Sequence, residues 1–144
     1  GNIRFGKLLE VLDKLAEDVA LAYVRRHVRR HAILEGHVAL AHARDTDDAA
    51  ILWRRSTGGD VGQLAILARL FVDPGHRNLG AGAQLMEAAH RFAAESQLAV
   101  ALDVMLKDRD AIRLYEKLGY HRLGTTGHEH TGGKVQAAAV YLLA

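Results

Sequence analysis

Pro74 is the only proline in the chain, and its position constrains the fold more than any other residue. It separates an aliphatic run, "QLAILARLFVD" from 63 to 73, from a turn that closes on Gly80 and Gly82. Proline has no N–H to give a neighbouring strand, so sheet pairing should end around Val72 and Asp73. The two glycines remove side chains where the chain enters a helix, which lets a ligand approach backbone amides. The first N–H groups of that helix lack internal acceptors, and the helix dipole makes this end positive. Strand, glycine turn and helix start together describe an anion site suited to phosphate or pyrophosphate, with Arg77 as a fixed charge beside it. The segment reads R-x-x-G-x-G followed by Ala83 and Gln84, which is neither the G-x-G-x-x-G dinucleotide fingerprint nor a Walker loop. A glycine-rich turn without a ligand is the competing reading.

The rest of the chain reads as mixed α and β. Apolar residues at 8, 12, 15, 19, 23 and 28 keep a helical rhythm, which predicts one long helix over 7–30. Gly36 should end the turn after it, and "HVALAHA" from 37 to 43 reads as a strand. Asp45, Thr46 and Asp47 offer N-caps, and Gly58-Gly59 a stop, for a short helix carrying Trp53 as a core anchor. The 63–73 run reads as a central strand covered on both faces, with Arg69 in need of a partner. Residues 80–96 read as a helix with Ala83, Met86, Ala89 and Ala93 on one side and Glu87, Arg91 and Glu95 on another. "LAVALDVML" (98–106) is a strand, "DRDAIRLYEKLGY" a helix stopped by Gly119, and Tyr120–Leu123 a short strand. "TTGHEHTGGK" reads as a loop and Val135–Leu143 as a last strand. The 144 residues suit one domain, expected to occupy 1–144, with 1–35 as an unusual helical segment.

The bulk numbers exclude several classes. With no cysteine, disulfides, thiolate catalysis and Cys-based zinc sites are all ruled out. No apolar run reaches the roughly 18 residues of a membrane span, and the start does not resemble a signal peptide, so a cytoplasmic protein is expected. The formal net charge of +2 suits an anionic ligand but is too small to indicate nucleic acid unless concentrated. "RRHVRRH" (25–31) is one such cluster. It reads either as a solvated helix end or as a docking surface for RNA or an acidic partner.

Two segments together resemble the GNAT superfamily of N-acetyltransferases. They are "VDPGHRNLGAG" at 72–82 and, further along, "DRDAIRLYEKLGY" at 108–120. The resemblance covers residues 36 to 143. It implies a GNAT-like central mixed, mostly antiparallel twisted sheet flanked by helices, with acetyl-CoA as co-substrate. In such proteins the amides here at Arg77, Asn78, Leu79, Gly80, Ala81 and Gly82 hold the pyrophosphate. The preceding strand splays from its neighbour, and its end, here Leu70, Phe71 and Val72, pairs with the pantetheine arm. A backbone N–H near Leu70 would polarise the thioester carbonyl. Tyr115 stands where the family tyrosine protonates the departing thiolate, a task a phenol near pKa 10 can perform. Its bland alternative is packing, since Ala111 and Leu118 set it on a buried face.

The chain departs from the family pattern at two points. Asp108 replaces a frequent asparagine; it can still cap the helix but brings negative charge towards CoA. Members usually begin with a strand and two short helices that wall the acceptor site, whereas residues 7–30 here read as one helix, with the first strand reduced to "NIRF" or missing.

An ammonium acceptor must lose a proton before it attacks. Asp103, in "ALDVM", stands where some members resemble Leu-Glu-Val and use the Glu as base; alternatively it pairs with Arg69 or Lys107. His37 and His42 are secondary candidates. "HEH" at 128–130 and the His27/His31 pair lack an evident third ligand, so no metal is expected. With no cysteine and no G-x-S-x-G serine, direct attack without a covalent intermediate is the expected route. The predicted activity is acetyl transfer to a primary amine on a small molecule or peptide. The rivals are a non-catalytic acyl-CoA-binding module and an acetyltransferase for protein N-termini or RNA-borne amines. A homodimer through helix pairing or strand exchange stays open.

Overall fold

The structure is a computed structural model that describes residues 8–16, 19–28, 31–73, 75, 80–129 and 135–143. Elements follow the order β1 (Leu8–Ala16), β2 (Val19–Val28), β3 (His31–His42), α1 (Asp48–Thr57), a 3-10 turn (Val61–Gln63), β4 (Leu64–Val72), α2 (Ala81–Glu95), β5 (Ala99–Met105), α3 (Arg109–Lys117), β6 (His121–Glu129) and β7 (Val135–Leu143). The hydrogen-bonded strand order is β1-β2-β3-β4-β5-β7-β6. Pairing is antiparallel for β1–β2, β2–β3, β5–β7 and β6–β7, and parallel for β4–β5. The mixed, mostly antiparallel sheet with helices is therefore as expected. The chain divides into two compact units, Gly1–Ala41 with Leu67–Ser96, and His42–Ile66 with Gln97–Ala144.

In the first unit, the helix predicted over 7–30 is replaced by two strands. Leu9 pairs with Val24, Val11 with Ala22 and Leu12 with Leu21. The apolar positions fit a helical rhythm, but "VALAYV" from 19 to 24 is also a continuous apolar run, which a strand between two partners tolerates well. With β1 on one side and β3 on the other, β2 has its backbone groups taken up by ladders on both edges. The unusual helical segment expected over 1–35 is corrected over its described residues, 8–16, 19–28 and 31–35, which are strand; "NIRF" at 2–5 lies outside the described residues.

Gly36 is not a turn end either. It sits buried within β3 opposite Val24, beside a one-residue bulge at Glu35, because Arg25 pairs with Leu34. α2 packs on β1 and β2 through Ala81, Leu85, Met86, Ala88, Ala89 and Ala93, residues that recur at helical spacing. Ala83, predicted on the same side as Met86, Ala89 and Ala93, is exposed instead. Glu87, Arg91 and Glu95 face solvent as expected, and Arg91 pairs with Glu87 at 3.0 Å.

In the second unit, Ala49, Ala50, Trp53, Leu64, Ala101, Val140 and Leu142 form the core. Leu64 and Ala65 are both buried although successive strand residues face opposite ways, so the start of β4 is covered on both faces. Trp53 is the predicted anchor. Its ring lies so close to the Gly59 backbone that a Cβ there would stand 2.5 Å from the ring carbons. α1 ends on Gly58 at φ 69, and α3 is followed by Gly119 at φ 101, both left-handed as the sequence requires. β6 runs on to Glu129, so residues 125–129 of the predicted loop are strand; residues 130–134 lie outside the described residues. A bulge at Leu123 lets Gly124 approach Leu52 of α1, where an added Cβ would meet Cδ1 at 3.2 Å.

Candidate functional site

In the first unit, β4 carries Leu70, Phe71 and Val72 to its end. Asp73 follows and accepts a hydrogen bond from the Gly75 amide at 3.0 Å, which starts the turn. Pro74, Arg77, Asn78 and Leu79 lie outside the described residues, as do the side chains of Arg69, Leu70 and Phe71. Gly80 reappears as the N-cap of α2 at φ 87, ψ 1. A Cβ there would meet nothing within 4 Å, so backbone conformation, not crowding, selects glycine.

The Gly80 carbonyl already accepts the first helical bond, from the Gln84 amide at 3.0 Å. Among the described residues no side chain caps this helix, and its first turn holds no acidic group. The amides of Ala81, Gly82 and Ala83 precede that first bonded donor and have no acceptor within the helix. A positive helix end with no acid in its own first turn fits a diphosphate.

His37 and His42, the secondary base candidates, are half-buried on β3. The His37 ring lies 6.3 Å from that of its cross-strand partner Tyr23, over which the Arg25 guanidinium sits at 5.0 Å. Of the 25–31 cluster, residues 25–28 end β2 and His31 begins β3, not a helix, so helix-dipole stabilisation does not explain them; Arg29 and Arg30 lie outside the described residues.

The second unit holds the proposed acid and base. Asp108 is the N-cap of α3, and its Oδ1 accepts from the Ala111 amide at 3.3 Å, the capping role expected of it. Tyr115 lies two turns on, 7% exposed, with its ring 5.8 Å from that of Tyr120. Burial pushes the Tyr115 hydroxyl pKa up, and the Asp108 charge adds to the rise. Tyr120 is held well above the ordinary range by burial and then by Tyr115. Both phenols thus stay protonated at neutral pH, as a proton donor must. Asp103 is exposed on β5, in register with Val140. Among the described residues the β4–β5 ladder pairs Leu64 with Ala99, Ala65 with Val100 and Ile66 with Ala101, and residues 67–72 follow these pairs along β4.

Sequence reasoning missed a polar linkage behind α3. The Tyr141 hydroxyl, on a residue with no exposed surface, donates to Glu116 Oε2 at 3.1 Å and accepts from Arg122 Nη2 at 3.0 Å. Tyr141 is the one polar-tipped residue in "AAAVYLLA", and a buried tyrosine hydroxyl calls for a partner, so the signal was present. The side chains of His27, His31 and "HEH" 128–130 lie outside the described residues, among which no three His, Asp or Glu converge as a metal site would. Nor does any described helix have the length and apolarity to cross a membrane.

Comparison with solved structures sets this arrangement in context. A protein from Acinetobacter baylyi ADP1, ACIAD1637, provisionally described as an acetyltransferase, matches with a TM-score of 0.68 at 20% identity, over 88% of this chain and 63% of that one. Arabidopsis thaliana NAA60, solved with a bisubstrate analogue, gives 0.70 at 19%, over 88% and 77%. Spermidine/spermine N-acetyltransferase SpeG from Vibrio cholerae gives 0.65 at 18%, over 90% and 66%. The chain thus spans less than two thirds of the first and third of these relatives, and at such identities the likeness is one of fold. No curated protein matches the sequence significantly. The fold is the one these acetyltransferase structures share. Within it, the acetyltransferase (GNAT) domain family matches residues 16–122, most of the chain, and the chain belongs to that family.

Proposed function

We propose that this chain is a single-domain N-acetyltransferase that moves an acetyl group from acetyl-CoA to a primary amine by direct attack. The carrying observation is the start of α2, where Gly80 in a left-handed conformation delivers uncapped amides with no acid in the first turn. In this reading those amides, with Arg77 to Leu79 ahead of them, bind the diphosphate. The backbone from Leu70 to Val72, which follows the β4–β5 pairs along β4, receives the pantetheine arm.

The neutral amine nitrogen then attacks the thioester carbon, the carbon–sulfur bond breaks, and the thiolate takes its proton from Tyr115. The proton that the nitrogen sheds on becoming an amide returns through water to the phenol. Asp103 relieves the incoming ammonium of a proton, directly or through water. SpeG, named for spermidine and spermine, supports an amine acceptor on a small molecule, and a peptide amine is the other acceptor class in this reading.

A thermal-shift titration tests the cofactor half. Acetyl-CoA at a hundred times its Kd should stabilise the fold by about 2.7 kcal/mol, and no shift at millimolar concentration would remove the proposal. Free-CoA release against a panel of peptides and polyamines tests the transfer half.

One observation favours a second reading. Two residues of sequence separate β1 from β2, where relatives usually place two acceptor-walling helices. A chain that binds acetyl-CoA but releases no CoA with any amine would be the acyl-CoA-binding module instead.

A further inference from the structure

Tyr115 sits on a helix of only nine residues, Arg109–Lys117, and a helix that short is not held by its own hydrogen bonds. Its front end is fixed by the Asp108 cap on Ala111. Its back end is fixed differently. Glu116, the residue after Tyr115, accepts the Tyr141 hydroxyl proton at 3.1 Å. Arg122 donates to the same oxygen through Nε at 3.3 Å and Nη2 at 3.0 Å, with its guanidinium 5.4 Å from the Tyr141 ring centre. The two arginine donors occupy the acceptor side of that hydroxyl, so its single proton is committed to Glu116.

Tyr141 itself cannot shift. It has no exposed surface, and its neighbours on β7, Val140 and Leu142, are equally buried. β7 is paired on both edges, with Leu102 opposite Tyr141 on β5 and Arg122 opposite it on β6. The hydroxyl is therefore a fixed point of the sheet that reaches the last turn of the helix.

We propose that Tyr141, through Glu116, is a positioning device that sets the rotation of α3 and so the aim of the Tyr115 hydroxyl. The inference rests on Tyr115 acting as the proton donor, and it adds two residues that touch neither substrate nor cofactor. Tyr115 and Glu116 are consecutive, so they point about 100° apart around the axis, and an anchor on one fixes the heading of the other. A bond from a neutral hydroxyl to a carboxylate is charge-assisted and suits that task.

The test is a double-mutant cycle on kcat with Tyr115→Phe and Tyr141→Phe, run well below the melting temperature of each variant. Tyr141→Phe should lower kcat roughly tenfold, the scale of one lost hydrogen bond to a charged group, with the KM for acetyl-CoA unchanged. In the Tyr115→Phe background the same change should cost nothing further. Glu116→Gln, whose amide oxygen still accepts from Tyr141, should keep most of the activity, and Glu116→Ala should behave like Tyr141→Phe.

A fall in melting temperature with wild-type kcat in Tyr141→Phe would overturn the proposal, as would costs that simply add in the cycle. In both cases a slow Tyr115→Phe single variant leaves the donor reading intact. A Tyr115→Phe enzyme as fast as the wild type would instead sink the donor reading and, with it, this one.

Discussion

Asp108 closes the first turn of the helix on which Tyr115 lies, and its carboxylate reinforces the burial that keeps the Tyr115 phenol protonated. A single side chain thus both starts the helix and influences the group the helix presents. The family's usual asparagine could provide only the first of these effects.

Replacing Tyr115 with phenylalanine removes the proposed donor and leaves the ring in place. The expected result is a kcat lower by roughly two to four orders of magnitude, the range of general acid catalysis. The Kd for CoA should not change, and isothermal titration alongside steady-state rates reads both. An unchanged kcat would reduce Tyr115 to packing.

Asp108→Asn should separate the two effects of Asp108. Asparagine caps as well as aspartate, so stability should stay within about 0.5 kcal/mol, whereas Asp108→Ala should cost on the order of 1 kcal/mol. Removing the charge lowers the Tyr115 pKa towards its ordinary value, so the alkaline limb of kcat against pH should move to lower pH. A limb that stays in place would show that burial alone sets it.

The two buried tyrosines also predict a pH dependence of stability. Both have folded pKa values raised above the unfolded value near 10. Below that value the phenols are protonated in both states and their contribution is complete. As pH rises past it, the unfolded chain loses protons that the folded one keeps, so stability falls until the folded pKa values are reached. Melting temperature should therefore drop above about pH 10, and the tyrosinate absorbance of Tyr115 and Tyr120, taken as the difference from their phenylalanine variants, should appear on unfolding and not before. A difference signal in the folded protein near the ordinary value would contradict the burial of these rings.

His90 gives an acid counterpart. Burial lowers its pKa, and Glu87 opposes that in part. The unfolded histidine takes up a proton near pH 6.5 while the folded one stays neutral, so this contribution is present above 6.5 and lost as pH falls through the lowered value. His90→Gln should flatten the melting temperature between pH 6.5 and 5. An unchanged slope would assign it to other groups.

Two glycines can be tested for different physical reasons. Gly80→Ala places a side chain at φ 87 in open space, so its cost is conformational, roughly 1–2 kcal/mol, with weaker CoA binding if the amides beyond it hold the diphosphate. Gly59→Ala drives a methyl group into the Trp53 ring and should cost about 1–3 kcal/mol by overpacking, without touching CoA affinity. Urea denaturation and CoA titration of the two variants distinguish these mechanisms. Equal losses of CoA affinity in both would argue against the α2 site.

What the sequence could determine was local. Gly58 and Gly119 take the left-handed conformations that end or follow α1 and α3 because glycine has no Cβ to oppose them. The aliphatic run before Pro74 becomes a strand because consecutive apolar residues suit one covered on both faces. Asp108 caps because its carboxylate reaches an amide three residues on. The family resemblance rested on two such short segments, 72–82 and 108–120.

The N-terminus was decided at longer range. Leu8, Leu12 and Leu15 fit a helix as well as a strand, and the choice between them rests on partners: β2 for β1, and for β2 the strand β3 that lies after it. The linkage from Tyr141 to Glu116 is likewise a tertiary product, because it joins residues 25 positions apart that only the sheet brings together. Helix caps and turn glycines are chosen by energies within a few residues, so sequence displays them. Strand pairing and buried polar contacts take their energy from groups distant along the chain, and only the folded molecule brings those groups together.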